Sequence, residues 1–397
     1  MGGKIIVFSW VSVYITSFLD ITIKNLHLEK INNLRILLCE FEKMPFVDDI
    51  LHLRADSVLS EKLLPLAFLF ILFLLTISYL MGNSIWYKIL GRNKFLPQGK
   101  HAYVTGGSKG LGKAIAKLLA SKGAHVTIIA RDKDHLQIAL EEIKDAAKGR
   151  EDYKNLIFNA ISADVTNYED SVRALNEACD LHNGRAPDFI FCCAGACKPG
   201  LFIEQDISEF ESGMQLNYHG TLYTVHEGVK RMTRQRIKGK IVLVSSVLGV
   251  MSFIGFSQYA PTKYALRGLA ETLRNELLLY DISVHCYFAG TIDSPGLQQE
   301  NKTKPKITSE IEGDDVALSP DQAAKALYKS LCKGHFHITS DLGGNICRVA
   351  SKGAVSPTNN FIVDSLLSAF AWIGGIPFRY MIDKKVKDSK SEYPIHD

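Results

Sequence analysis

The stretch Thr105-Gly106-Gly107-Ser108-Lys109-Gly110-Leu111-Gly112 follows a short strand-like run, His101 to Thr105, and leads into AIAKLLASKGA, which has a helical pattern. Glycines at a strand-to-helix turn let the backbone approach a pyrophosphate, and the first turn of the helix offers unpaired N–H groups to bind it. In this setting Gly106, Ser108, Lys109, Gly110 and Gly112 read as a nucleotide-binding turn. The same residues also spell Gly106-x-Ser108-x-Gly110, the form of a hydrolase nucleophile elbow with Ser108 as nucleophile. That reading places the elbow on the first strand of the domain and leaves a tyrosine-lysine pair further along without a role.

Outward from this turn, β-branched runs recur at His101 to Thr105, Val126 to Ala130, Phe189 to Ala194, Lys240 to Ser246 and Ser283 to Ala289, separated by helix-length stretches. Strands alternating with crossover helices imply a parallel sheet covered on both faces, so the segment from Gly99 to about Asn345 reads as one doubly wound α/β domain. The second strand ends Ala130-Arg131-Asp132. An acid at that strand end takes the adenosine ribose hydroxyls and repels a 2′-phosphate, whereas Arg131, with Lys109 in the turn, offers that phosphate two cations. NADPH is therefore favoured over NADH as cofactor. Asp164 and Val165, after the third strand, are expected beside the adenine ring.

Tyr259-Ala260-Pro261-Thr262-Lys263 places a phenol and an ammonium one helical turn apart, with Ser246 upstream at the end of a strand. Such a phenol can protonate a carbonyl oxygen as hydride reaches its carbon, a general-acid role. A free tyrosine titrates near 10, so Lys263 and the positive charge of the oxidised nicotinamide are expected to favour the phenolate and ease the cycle at neutral pH. Ser246 can hydrogen-bond the same oxygen as charge grows on it. Ser245 is read as its bland neighbour.

The TGGSKGLG turn, Asp164-Val165, CCAG at Cys192 to Gly195, Asn217 in LNYHG, Ser246 and Tyr259-x-x-x-Lys263 together resemble the short-chain dehydrogenase/reductase family in order and spacing. The resemblance implies a Rossmann-type sheet, catalysis by Ser246, Tyr259, Lys263 and Asn217, and cofactor contacts from Tyr259, Lys263 and Ile292. It further implies that Asn217 holds a water linking Lys263 to solvent, and that two copies pair through the helices bearing Asn217 and Tyr259 as a homodimer. Cys192, where many relatives have asparagine, and Ala289-Gly290, where Pro-Gly is usual, depart from the pattern. Within the family, FCCAGACKPGLF, GFSQYAPTKYALRGLAETLRNEL and TKPKITSEIEGDD are similar to the fungal branch acting on a long-chain keto-sphingoid base. That branch implies NADPH-dependent reduction of 3-ketosphinganine to sphinganine at the cytosolic face of the endoplasmic reticulum. A membrane-bound steroid or retinoid reductase and a non-catalytic NADPH-binding scaffold are the alternatives.

Apolar segments flank this domain. Leu63 to Gly82 carries no charge and is long enough to cross a bilayer as a helix, and Lys88, Arg92, Lys94 and Lys100 follow it without an acid, which turns the later chain toward the cytosol. Ile5 to Leu19 is shorter, and reads as a signal-anchor, a second span or a signal-peptide core. Residues 1–62 as a whole have no assigned function. Residues 361–382 are apolar but contain Asp364, Gly374-Gly375, Pro377 and Arg379, so a re-entrant or interfacial helix is expected there before a clean span. Residues 383–397 form a polar tail. Residues 291–315 are polar and weakly periodic, the composition of a mobile lid over a substrate cleft or of a disordered insertion. The net charge of +4 and the absence of basic runs with interleaved aromatics point away from nucleic acid, and the eight cysteines lack zinc spacing, so no metal is expected.

Overall fold

The computed structural model describes residues 95–313, 316–352 and 356–392. The expected span at residues 63–82 and the apolar run at residues 5–19 lie outside the described residues. Seven strands, β1 (His101–Thr105), β2 (His125–Ala130), β3 (Phe158–Ser162), β4 (Phe189–Cys192), β5 (Lys240–Ser246), β6 (Ser283–Ala289) and β7 (His337–Thr339), form one parallel sheet in the order β3-β2-β1-β4-β5-β6-β7. The order reverses between β1 and β4, and a crevice opens at the carboxyl ends of strands at such a switch point. Thr105, Cys192, Ser246 and Ala289 end the strands that border it.

Both faces of the sheet are covered, which is why its strands read as near-continuous apolar runs. On one face α1 (Gly110–Ser121), α2 (Lys133–Ala147) and α9 (Pro320–Cys332) pack over Val104, Ile128, Phe191 and Val242. On the other α3 (Tyr168–Asp180), α5 (Gly220–Arg234) and α6 (Ala260–Glu276) pack over Tyr103, Ile129, Ile190 and Leu243. Successive residues of one strand thus serve opposite cores, as side-chain alternation requires.

Two segments that the sequence left open take definite form. The stretch after β6 is folded: it holds α7 (Pro295–Glu300) and α8 (Lys306–Glu312), and its ends are pinned where Asp293 N donates to Leu318 O and Leu318 N to Thr291 O, 2.9 Å each. Ile307 and Thr308 are buried, and the Thr308 hydroxyl donates to Ile254 O at 3.1 Å. This is an ordered flap and not a disordered insertion; its helices are too short to leave a strong periodic signature.

The apolar C-terminal segment is one unbroken helix, α11 (Phe361–Asp388), with Pro377 inside it. The expected interruptions therefore do not end the helix. Asp364 has a different use: its carboxylate takes both Arg348 guanidinium nitrogens, at 2.6 and 3.1 Å, and the Asn359 N–H at 3.1 Å, with both ionic side chains buried. Arg348 belongs to α10 (Leu342–Ala350), so this ion pair docks the start of α11 on the sheet domain. Beyond it, Leu366, Phe370, Ile373 and Tyr380 are exposed, and Ile362–Asp388 is long and apolar enough to cross a membrane.

Candidate active site

The loop from Gly106 to Gly110 turns β1 into α1. Gly106 and Gly110 have φ of +65° and +50°, and a Cβ on Gly112 would lie 2.3 Å from Gly106 O, so the helix can start against the loop only with glycine there. The N-terminus of α1 has no side-chain cap and no acid in its first turn, whereas α2, α3 and α9 are capped by Asp132, Asn167 and Ser319. Its N–H groups are left for an anion. A cavity of about 540 Å³ lies beside this turn, lined among others by Ser108, Lys109, Gly110 and His135.

Asp132 is engaged at its own helix start, accepting from His135 N at 3.0 Å and from its ring at 2.7 Å. The exposed side chains of Arg131 and Lys109 form no ion pair among the described residues. Asp164 accepts from the Thr166 N–H at 3.0 Å and its hydroxyl at 2.8 Å, and Val165 is buried against Gly220 at the start of α5. Both lie just past β3 on the carboxyl side of the sheet, where the adenine was expected. Ile292 forms an isolated parallel bridge with Leu318 at the base of the flap. These residues fit a nicotinamide dinucleotide: a glycine cradle, an open helix start and unpaired cations at the second strand.

Ser246 and Tyr259 are brought together by the end of β5 and the start of α6, close enough for the serine hydroxyl to act on the phenol. Pro261 sits in the first turn of α6, where its missing N–H costs no bond. One turn on, Lys263 is buried, its Nζ donating to Val244 O at 3.0 Å and lying 5.3 Å from the centre of the Tyr259 ring. Burial pulls the Lys263 ammonium down to about 8. Burial also raises the Tyr259 phenol well above its ordinary value, with Cys197 and Glu300 adding to the rise and the Ser246 hydrogen bond opposing it. Desolvation penalises the charged form of each group, so in the protein alone the phenol holds its proton.

Asn217 is fully buried in a π-helical turn, Gln215–His219, between α4 (Ile207–Met214) and α5. Its amide accepts from Ala196 N at 2.9 Å and donates to Ala196 O at 3.0 Å. The side chain thereby clamps the loop after β4. A Cβ on Gly195 would be 2.9 Å from Asn217 Oδ1 and 3.4 Å from Lys263 Nζ, so glycine keeps those two groups close.

Three further contributors were not singled out from the sequence. Ser245 points to the opposite side of β5 from Ser246, and its hydroxyl donates to Lys263 O at 2.9 Å, fixing the catalytic helix on the sheet. Adjacent serines at a strand end are the signal that could have found it. Gly249 allows this approach, since a Cβ there would meet Ser245 Oγ at 2.5 Å. Cys197 lies near enough to Glu300 of the flap and to Tyr259 to act electrostatically on both, a relation between distant segments that leaves no sequence pattern.

Comparison with known proteins agrees with this architecture. The short chain dehydrogenase family model matches residues 100–305. The chain belongs to the short-chain dehydrogenase family, and several of its relatives share one printed activity. It is 41% identical over 302 residues to a 3-ketodihydrosphingosine reductase of Cryptococcus neoformans, covering 76% of this chain and 88% of that one. It is 35% identical to a 3-ketodihydrosphingosine reductase of Aspergillus fumigatus (73% and 83% covered) and 36% identical to one of Dictyostelium discoideum (71% and 86%). Among solved structures, a short-chain type dehydrogenase/reductase from Mycobacterium ulcerans shares the fold at a TM-score of 0.54 and 23% identity, covering 62% of this chain and 90% of that one.

Proposed function

We propose that the chain reduces 3-ketodihydrosphingosine (3-ketosphinganine) to sphinganine with NADPH, at a membrane surface. The observation that carries the chemistry is the grouping of Ser246 at the end of β5 and Tyr259 at the start of α6 with buried Lys263, whose Nζ lies 5.3 Å from the Tyr259 ring centre, on the same carboxyl side of the sheet as the open start of α1. The names of three relatives at 35–41% identity support the substrate. When bound, the nicotinamide supplies hydride to the ketone carbon. Tyr259 gives its proton to the ketone oxygen, and Ser246 steadies that oxygen by a hydrogen bond as charge develops. Lys263 is placed to take up the negative charge left on the phenol, and its position depends on the clamps made by Ser245 and Asn217.

Gly106, Ser108, Gly110 and Gly112 would hold the pyrophosphate, Asp164 and Val165 the adenine, Ile292 the nicotinamide, and Arg131 with Lys109 the 2′-phosphate. Arg131→Ala is expected to raise the KM for NADPH by about 10-fold or more, from loss of a charge-assisted hydrogen bond, while leaving that for NADH unchanged. Equal effects on both cofactors would remove Arg131 from phosphate recognition.

Helix α11, about 42 Å long at 1.5 Å per residue, supports attachment to the bilayer in which a long-chain ketone resides. The reading places the enzyme in the endoplasmic reticulum membrane with its sheet domain in the cytosol. Sphinganine formation is to be followed by mass spectrometry in purified membranes given 3-ketosphinganine, with NADPH or NADH, against steroid ketones. Product from steroid ketones alone would overturn the substrate assignment.

A further inference from the structure

An exposed apolar patch stands beside the crevice and has no part in the chemistry. In the turn between β4 and α4, Phe202 and Ile203 are 69% and 80% exposed, and Ile207, the first residue of α4, is 75% exposed. The turn is firmly held. Gly200 N donates to Gly255 O at 3.0 Å, and the Gln205 amide donates to Lys198 O at 2.9 Å and to the Glu209 carboxylate at 3.1 Å. The Phe202 ring meets Phe210 edge-on, their centres 5.5 Å apart. These side chains are therefore presented outward by a fixed backbone, and are not left unpacked by a loose loop.

Their position follows from the neighbouring bonds. Gln258, next to the proton donor Tyr259, donates to Glu209 O at 3.0 Å, which places the start of α4 beside the catalytic turn. Ile254, next to the Gly255 that holds the patch, accepts from the Thr308 hydroxyl of α8 at 3.1 Å. Glu310 on α8 in turn binds Lys385 of α11. Patch, flap and apolar helix thus adjoin in series. Arg348 fastens the start of α11 and Glu310 its far end, so the helix lies along the sheet domain and presents Leu366, Phe370 and Ile373 outward.

We propose that Phe202, Ile203 and Ile207 form a second membrane contact, which dips into a phospholipid leaflet and turns the mouth of the crevice toward the lipid. A long-chain ketone then passes from leaflet to site without crossing water. This rests on the reduction and the bilayer attachment proposed above and deepens them. Three such side chains expose on the order of 400 Å², about half of what each partner of a stable dimer commits, and within the range of a functional patch. Burial at the acyl edge of a leaflet needs no larger surface. The exposed acids Glu204 and Asp206 flank the patch, so it takes hold through apolar burial and not through attraction to anionic lipid.

The test uses the full chain in phosphatidylcholine vesicles, with photoreactive p-benzoylphenylalanine in place of Phe202. The control carries it in place of Leu181, 45% exposed and next to His182, whose ring stacks on His101 at the amino end of β1. Irradiation is expected to give phospholipid adducts from the first position and not from the second. Ile203→Ser combined with Ile207→Ser is expected to raise the KM for 3-ketosphinganine in these vesicles by about 10-fold or more, and to leave kcat/KM for a short-chain, water-soluble homologue unchanged. Fluorescence titration with NADPH checks that this variant is folded. Lipid adducts missing from position 202, or as frequent at 181, would overturn the proposal, and adducts to a second copy of the chain would overturn it by making the patch a protein interface. An equal fall on both ketones would make the turn part of the catalytic site and overturn it too, as would no change on either. Wild type that reduces neither ketone while position 202 still yields lipid adducts would overturn the reduction and leave the membrane contact standing.

Discussion

Tyr259→Phe is expected to lower kcat for ketone reduction by about 10²- to 10⁴-fold, the range general acid catalysis contributes, while NADPH binding stays within a few-fold of wild type. At about 1.4 kcal/mol per factor of ten, this corresponds to roughly 3–6 kcal/mol of lost transition-state stabilisation. The phenylalanine ring fills the same space on the Phe256–Ala260 turn, so the change removes a proton and little else. Because burial holds the Tyr259 proton and outweighs the opposing pull of Ser246, the wild-type donor remains loaded across the neutral range. Ser246→Ala is expected to be milder, since Tyr259 keeps its proton without it. Single-turnover reduction, read from NADPH absorbance, separates loss of chemistry from loss of binding. A Tyr259→Phe enzyme with kcat within tenfold of wild type would remove Tyr259 from the donor role and return the proton to solvent.

The doubly wound sheet was legible because its cues are local. A glycine turn between a strand and a helix, and apolar runs at regular intervals, depend only on neighbours in sequence. β7 was not, since its three residues, His337–Thr339, are too few to carry a pattern. At the site, Ser246, Tyr259 and Lys263 could be read because a strand end and one helical turn fix their relation. Their electrostatics could not. The direction of the Tyr259 shift follows from how many protein atoms surround it, a sum over segments far apart in the chain. Asn217 shows the same division: its place was legible from LNYHG, but its partner, the Ala196 backbone, comes from another loop. The helices of the flap were not legible for a related reason. Its stability comes from tertiary contacts of Lys304, Ile307 and Thr308, and not from helix periodicity.

Asp364→Asn carries the largest expected effect on stability. The substitution leaves the Arg348 guanidinium buried without a counter-charge, and breaking a buried pair from one side costs about 3–5 kcal/mol. The favourable part of the native pair is its geometry: two parallel N–H to oxygen bonds with a backbone N–H on the same carboxylate, so few polar positions are left unmatched. An apolar replacement of both partners at once, Arg348→Met with Asp364→Leu, is expected to recover much of the loss, since it also removes the cost of desolvating two charges. Thermal unfolding of the single and double variants forms a cycle that isolates the pair. A loss under about 1 kcal/mol in Asp364→Asn would mean that water reaches Arg348. The effect should extend to the crevice, because α11 also holds the flap: Lys385 binds Glu310, and Lys306 pairs with Glu392 at 2.8 Å just beyond the helix. Loosening the start of α11 frees the segment that carries Glu300 and Lys304. The KM for a long-chain ketone should then rise while cofactor binding at α1 stays unchanged, tying the acid at the apolar start of α11 to the cover of the catalytic site.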